Sequence, residues 1–318
     1  MTSRGAAQTG RLTPEPLVGP ARLTAADVAC AAQLACLLEV SAPKPGNVSP
    51  GRHFADARYE DFLASAAAIG EPLAGAATRG IGATVRLAVE STARWTRSNT
   101  NLGIVLLLTP LARAALTELH GTEAVGESGV VSGFSRTLRD AVGRVLNTTT
   151  LDDAREVYAA IRHAAPGGLG QADAQDVAGE PTMPLVDVMR LAADRDGIAR
   201  EYATAFEATF GTGVPTLEQA RGAGLSWDDA IVETFLTLLA AAPDTHVARR
   251  GGAALAADVS RRARTALAAG GVRSTAGRHA IDDLDRGLRD AHNTANPGTT
   301  ADLTAAAIFA VLINGGWS

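Results

Sequence analysis

An all-α fold is what this sequence predicts, and three observations carry the prediction. Only 4% of its 318 residues are aromatic, and alanine and leucine carry the apolar load; alanine loses no side-chain entropy on entering a helix and packs closely. Apolar residues recur at helical spacing along the chain from Thr24 onward. Alternating strand patterns with hairpin turns, and βαβ units, are nearly absent. With 46% hydrophobic and 20% charged residues the composition is that of an ordinary globular protein, and a chain of this length buries roughly three quarters of the surface its unfolded form exposes. One helical domain over 23–318 is expected. Residues 1–22, rich in Gly, Pro, Thr and Arg and without periodicity, read as a disordered tail lacking the apolar stretch of a secretory signal.

The elements follow in order. Thr24 and Asp27 make a capping box, and Val28, Ala31, Leu34 and Leu38 recur at helical spacing until Pro43 stops the run. That helix carries Glu39 in its last turn. Ser41 to Val48 contains two prolines and a glycine, so it reads as an irregular loop that fixes Lys44 and Asn47 in a stiff turn. Helices are expected at 59–70, 73–92 and 102–119. The apolar run from Leu102 to Leu111 is about half of the ~20 residues a membrane-spanning helix needs, and Arg113 follows it. The glycine- and serine-rich stretch 121–133 is the expected exposed excursion. Further helices are expected at 134–146, 151–164, 184–193, 195–210, 226–241, 253–269, 279–292 and 301–313. Thr150 with Asp153, Ser226 with Asp229 and Thr299 with Asp302 supply caps. No repeat of 20–50 residues is visible.

Several function classes lose support at once. The net charge of −5 offers nothing to nucleic acid or to an anionic membrane. Cys30 and Cys36 fall on different helix faces and belong to no CxxC pair, which argues against a disulfide framework and fits a cytoplasmic protein. The six histidines are scattered with no HExxH, so zinc is disfavoured. No GxSxG elbow, kinase set or GxGxxG unit appears. Gly167-Gly168-Leu169-Gly170 after Pro166 reads as a helix stop, because it lacks a preceding strand and a following Lys-Ser/Thr.

Polar residues beside glycine and proline concentrate in four loops. The first holds Lys44, Asn47, His53 and Asp56; the second is Asn99-Thr100-Asn101-Leu102-Gly103 before an apolar helix, whose positive end suits an anion. The third runs from Asp244-Thr245-His246 to Arg249-Arg250-Gly251-Gly252, and the fourth from Asn296 through Gly298-Thr299 to Asp302. One lysine, two arginines and two helix starts suit a polyphosphate, while Glu39, Asp244 and Asp302 could hold magnesium or take a proton. Taken alone, each has a plain structural reading as well: Asn99 and Thr100 as caps, Asp302 as a capping carboxylate, Arg249 and Arg250 as a solvated face.

At these loops the chain resembles the triphosphoribosyl-dephospho-CoA synthases. The resemblance rests on Glu39 with Pro43-Lys44-Pro45-Gly46-Asn47-Val48, Asn99-Thr100 ending at Gly103, Arg200-Glu201, Asp244-Thr245 with Arg250-Gly251-Gly252, and Pro297-Gly298 with Ala301-Asp302-Leu303. It implies an all-α transferase that joins the ribose 2′-hydroxyl of 3′-dephospho-CoA to C1′ of ATP and expels adenine, with magnesium, ATP and dephospho-CoA as its small-molecule partners. Homo-oligomerisation is left open. On this resemblance Lys44, Arg250, Gly251 and Gly252 take the phosphates, and Asp244 and Asp302 take magnesium or ribose hydroxyls. Glu39 is the preferred base, Glu201 the second and Asp244 a further catalytic carboxylate. Asn47, His53, Asn99, Thr100, Asn101, Gly103, Arg200, Thr245, Gly298 and Thr299 complete the expected binding surface. Well-known members have Asn-Thr-His-Lys-Gly where this chain has Asn99-Thr100-Asn101-Leu102-Gly103, so an exposed Leu102 would offer neither charge nor hydrogen bonds. Such variants resemble a branch associated with C1-carrier cofactors of the methanopterin or methylofuran type, which is the alternative activity. A nucleotide-binding helical protein without turnover is the third reading.

Overall fold

A computed structural model describes residues 23–119 and 130–317, and every regular element among them is helical. The expected tail at 1–22 and most of the excursion at 121–133 lie outside the described residues. The α-helices are α1 (Ala25–Ser41), α2 (Tyr59–Ala68), α3 (Gly70–Ala74), α4 (Ile81–Ala93), α5 (Leu102–Thr117), α6 (Val130–Asn147), α7 (Leu151–Ala164), α8 (Leu185–Ala192), α9 (Gly197–Thr204), α10 (Val214–Gly222), α11 (Trp227–Ala241), α12 (Thr245–Gly251), α13 (Ala253–Ala268), α14 (Thr275–Leu288) and α15 (Gly298–Ile313). A lone antiparallel bridge joins Ser49 and Arg52.

Helix α15 fills the centre. Its residues Thr304 to Val311 are all buried, and a helix apolar on every side needs neighbours all round; α1, α5, α10 and α11 provide them. Helices α13 and α14 pack outside α11, and α7 lies against α4. Gly82 permits the α4–α7 approach, since a Cβ there would stand 2.4 Å from the Asp153 carbonyl oxygen. Its N–H donates to Asp153 Oδ1 at 2.8 Å. No helix among the described residues is long and apolar enough to cross a membrane.

The expected capping boxes at Thr24 and Thr150 both form, and the Ser226 hydroxyl accepts from the Asp229 N–H. Two expected helices break. The stretch 73–92 divides at Gly75–Gly80 into α3 and α4, and 195–210 stops after Thr204, where Ala205 and Phe206 adopt φ of 49° and 60°. A π-turn over Thr209–Gly213 then leads into α10, an element the periodicity did not announce. Helix α12 was also unexpected; Asp244 starts it by accepting the Val247 N–H at 3.0 Å. The helix expected at 279–292 begins earlier, at Thr275, with Ser274 as its cap.

Candidate active site

The C-terminal turn of α1, the starts of α5, α9 and α15, the end of α7 and one side of α12 all border a single cleft of about 1590 Å³. Three helices therefore turn their positive ends toward it.

Glu39 stands at the wrong end of α1 for an anion, because the last turn carries the negative end of the helix dipole. Lys44 compensates: its Nζ lies 3.0 Å from Glu39 Oε1 and donates to the backbone carbonyls of Glu39 and Ala42. Prolines 43 and 45 fold the chain back so that this lysine caps the helix it follows. Glu39 is 4% exposed and reaches the cleft wall, whereas Lys44 is fully buried behind it. The expected contact between Lys44 and phosphate is thus replaced by an ion pair that holds Glu39.

At the start of α5, Asn99 Oδ1 accepts the Leu102 N–H at 3.2 Å, the Asn101 amide donates to Thr92 Oγ1 at 3.0 Å, and the Thr100 hydroxyl bonds that of Ser65. All three line the cleft, with Gly103 beside them. Leu102, expected to be exposed, is only 7% so. Asp302 lies directly over Gly103, where a Cβ would meet its Oδ2 at 2.0 Å, so no other residue fits beneath that carboxylate. Asp302 is not the expected cap: Pro297 precedes the first turn of α15, and the Thr299 hydroxyl bonds that of Thr245 at 3.0 Å. Nothing among the described residues donates a hydrogen bond to its carboxylate. Burial above all, then Glu39, Asp244 and Asp196, push the Asp302 carboxyl well above the usual carboxylate range, with Arg249 opposing.

The basic side of the cleft comes from α9 and α12. Arg249 Nη1 pairs with Asp196 Oδ2 at 3.2 Å, and Asp196 in turn caps α9 through the Ala199 N–H. Arg249 Nε is buried without a partner among the described residues, an unpaired donor of the kind that a bound anion satisfies. Arg250 donates to the His292 carbonyl, and Arg200 donates to those of Ala193 and Asp194. Pro166–Gly170 does stop α7, after a left-handed Ala165, and it also lines the cleft; Gly168, at φ 77°, sits with its missing Cβ 3.2 Å from Arg249 Cγ.

His246 occupies the same wall. Its Nδ1 lies 2.9 Å from the Asn296 carbonyl oxygen, and the Asn296 side-chain oxygen accepts the Asn47 amide at 3.0 Å. Its ring rests on Gly298, where a Cβ would stand 3.0 Å from Nδ1. Burial lowers its pKa, helped by Arg249 and Arg250 and opposed by the Asn296 carbonyl and Asp244. Sequence reasoning set His246 and Arg249 in the third candidate loop, with Arg249 among the cations suited to a polyphosphate, but did not carry either into the expected binding surface. The signal available was their spacing, three apart and just after Asp244, which places both on one helical face.

Of the expected residues, Glu39, Asn47, Asn99, Thr100, Asn101, Gly103, Arg200, Thr245, Arg250, Gly298, Thr299 and Asp302 come together. The others do not border the cleft. Asp244 accepts the Val247 N–H, and its Oδ2 accepts both the N–H and the hydroxyl of Thr300 at 2.7 Å, so it fastens α12 to α15. Glu201 accepts the Ala208 and Thr209 N–H groups at 2.9 Å and the Thr209 hydroxyl at 2.6 Å; it is spent on turning the chain after α9. His53 accepts the Tyr59 N–H at the surface, and Gly251 and Gly252 are exposed beyond the cleft.

Comparison with known proteins bears on this cleft. The family model CitG, ATP:dephospho-CoA triphosphoribosyl transferase, matches residues 25–318. A Pseudomonas putida protein assigned as 2-(5″-triphosphoribosyl)-3′-dephosphocoenzyme-A synthase is 40% identical over 114 residues, which are 36% of this chain and 40% of that protein. An Azotobacter vinelandii protein with the same assignment is 34% identical over 113 residues, covering 36% and 38% respectively. The matched part spans about two fifths of the length of these curated relatives. A crystal structure from Archaeoglobus fulgidus, assigned as triphosphoribosyl-dephospho-CoA synthase, superposes with a TM-score of 0.57 at 28% identity, covering 80% of this chain and 99% of that one.

Proposed function

The chain belongs to the CitG family of ATP:dephospho-CoA triphosphoribosyl transferases, and from that premise we propose that it moves the 5-triphosphoribosyl group of ATP to the ribose 2′-hydroxyl of 3′-dephospho-CoA and releases adenine. The observation that carries this reading is the convergence of separate polar segments, far apart in sequence, on one cleft with a basic and an acidic side.

The basic side suits the triphosphate. Arg249 offers a buried unpaired Nε, and Arg200 and Arg250 stand on the same wall; guanidinium groups match phosphate oxygens in paired geometry. The helix starts at α5 and α15 add backbone donors. The acidic side suits a magnesium ion that arrives with ATP. Among the described residues no group of three or more His, Cys, Asp or Glu side chains is disposed to hold a metal, but magnesium commonly takes one or two carboxylates and completes its shell with phosphates and water. Asp302, whose carboxyl pKa is raised by burial and by other acids, and Glu39 are two hard oxygen donors on the cleft wall. Bound there, magnesium would neutralise triphosphate charge. The protein's own part is to exclude water around C1′, hold the ribose between these two sides, and orient the acceptor hydroxyl. Val157, Ile161, Leu185, Val188 and Met189 form the apolar part of the wall and suit a purine or the pantetheine arm. The names of the relatives favour this acceptor over a C1 carrier, and a cytoplasmic protein would have both substrates at hand.

The test is chromatography of the purified protein incubated with ATP, magnesium and 3′-dephospho-CoA. Free adenine together with a CoA derivative heavier by the triphosphoribosyl mass is the expected result. ATP binding without either product would overturn the reading.

A further inference from the structure

We infer that the imidazole of His246 is the catalytic base, its Nε2 taking the proton from the ribose 2′-hydroxyl as that oxygen attacks C1′. The inference rests on the transfer proposed above and assigns a residue to its proton step.

A carbonyl oxygen only accepts hydrogen bonds, so the 2.9 Å contact between His246 Nδ1 and the Asn296 carbonyl fixes the proton on Nδ1 and leaves the lone pair on Nε2. The Asn296 carbonyl is itself fixed: it accepts the Gly298 N–H at 2.9 Å, and the Asn296 side chain is tied to Asn47 at 3.0 Å. Gly298 lets the ring lie against the backbone at the start of α15, which sets its angle. No hydrogen bond among the described residues engages Nε2. A base oriented by a second group, which is held by a third, is the arrangement general-base catalysis requires. The neighbouring charges are Asp244, Arg249 and Arg250 on the same segment, with Asp196 paired to Arg249 from α9; burial lowers the ring's pKa against the Asn296 carbonyl and Asp244.

Asp302 is placed toward magnesium, and the other candidate carboxylates are less suited to the task. Glu39 has one oxygen committed to Lys44, Glu201 is consumed by three donors, and Asp244 is consumed by Val247 and Thr300. In the step itself, the 2′-oxygen bonds to C1′ while the C1′–N9 bond breaks. The proton passes to Nε2, and the electron pair leaves on adenine, which is protonated from solvent.

His246→Asn tests this directly, because the shorter amide can still donate to the Asn296 carbonyl but has no atom at the Nε2 position. Adenine release with dephospho-CoA is expected to fall by about 10² to 10⁴-fold, with the affinity for Mg-ATP changed less than about threefold and the thermal midpoint kept. His246→Ala, assayed with and without added imidazole, is the second variant; a rise in rate with imidazole is expected, and a purely packing role would not produce it. Asn-variant activity within tenfold of the parent, or an alanine variant indifferent to imidazole, overturns the assignment while leaving the transfer reaction standing. A parent protein that binds ATP yet yields no adenine overturns the transfer and this assignment with it.

Discussion

Lys44 is a cation whose charge never reaches the cleft, and that changes what its removal should do. A phosphate ligand, once truncated, would raise the KM for ATP and leave the fold intact. Lys44→Met instead strands Glu39 in a buried wall, and losing one partner of such a pair costs about 3–5 kcal/mol. Urea denaturation should register a loss of that size, with kcat falling more than KM rises. The sequence located the Pro-Lys-Pro-Gly-Asn turn but not the direction of its lysine, which is set by the carbonyls left free at the end of α1. Asp302 carries the opposite prediction. Its carboxyl is raised in the folded chain, mainly by burial, whereas in the unfolded chain it ionises near pH 3.9. Between those values the folded state holds the extra proton, so this group's contribution to stability is present at low pH and declines as pH rises through the window. Asp302→Asn should therefore be more resistant to urea than the parent at pH 7, match it near pH 4, and lose adenine release by roughly 10²-fold. An equal stability difference at both pH values would remove the carboxylate's charge from the account.

Helix α5 illustrates how an element can break a local rule and be repaired from outside. Pro110 lies inside it and has no N–H to give to the carbonyl of Leu106, four residues earlier. The hydroxyl of Tyr202, on α9 and fully buried, donates to that carbonyl at 2.7 Å. The proline thus creates an acceptor that docks α9 onto α5, and Leu106 lies in the cleft wall. Tyr202→Phe should leave that acceptor bare and cost about 1–3 kcal/mol, read as a lower urea midpoint with an unchanged slope. Removing Pro110 at the same time should recover much of the loss, since the ladder bond can then re-form. Elements with strong periodicity and an Ser/Thr cap were legible from sequence: α1, α7 and α11 start where their caps put them. The breaks were not. The division of 73–92 follows from Gly75 and Gly80 in its first half, but the stop after Thr204 depends on Glu201 reaching the N–H groups of Ala208 and Thr209, a contact no spacing rule announces.

At the scale of the molecule, the candidate site was legible as a set of segments and illegible as a geometry. Motifs rich in Gly, Pro, Asn and Asp pointed to the right loops because irregular backbone between rigid helices is where a ligand can be approached. Which side chain in each loop faces inward was decided by tertiary partners: Asp302 enters the cleft because Gly103 makes room for it, and Asp244 is withheld because Thr300 claims it. Both sides of the cleft hang on α15, whose first two turns carry Gly298, Thr299 and Asp302 and whose remainder is core. That helix is also the last of the described elements to leave a ribosome. Until it emerges, α1, α5, α10 and α11 surround a vacant axis and present apolar faces to water, so the nascent chain is an aggregation risk over most of its synthesis. A chain stopped at residue 297 should remain open to limited proteolysis and bind no ATP. Adding a separate peptide corresponding to 298–317 should restore protection, because what the truncated chain lacks is the piece that the others fold around.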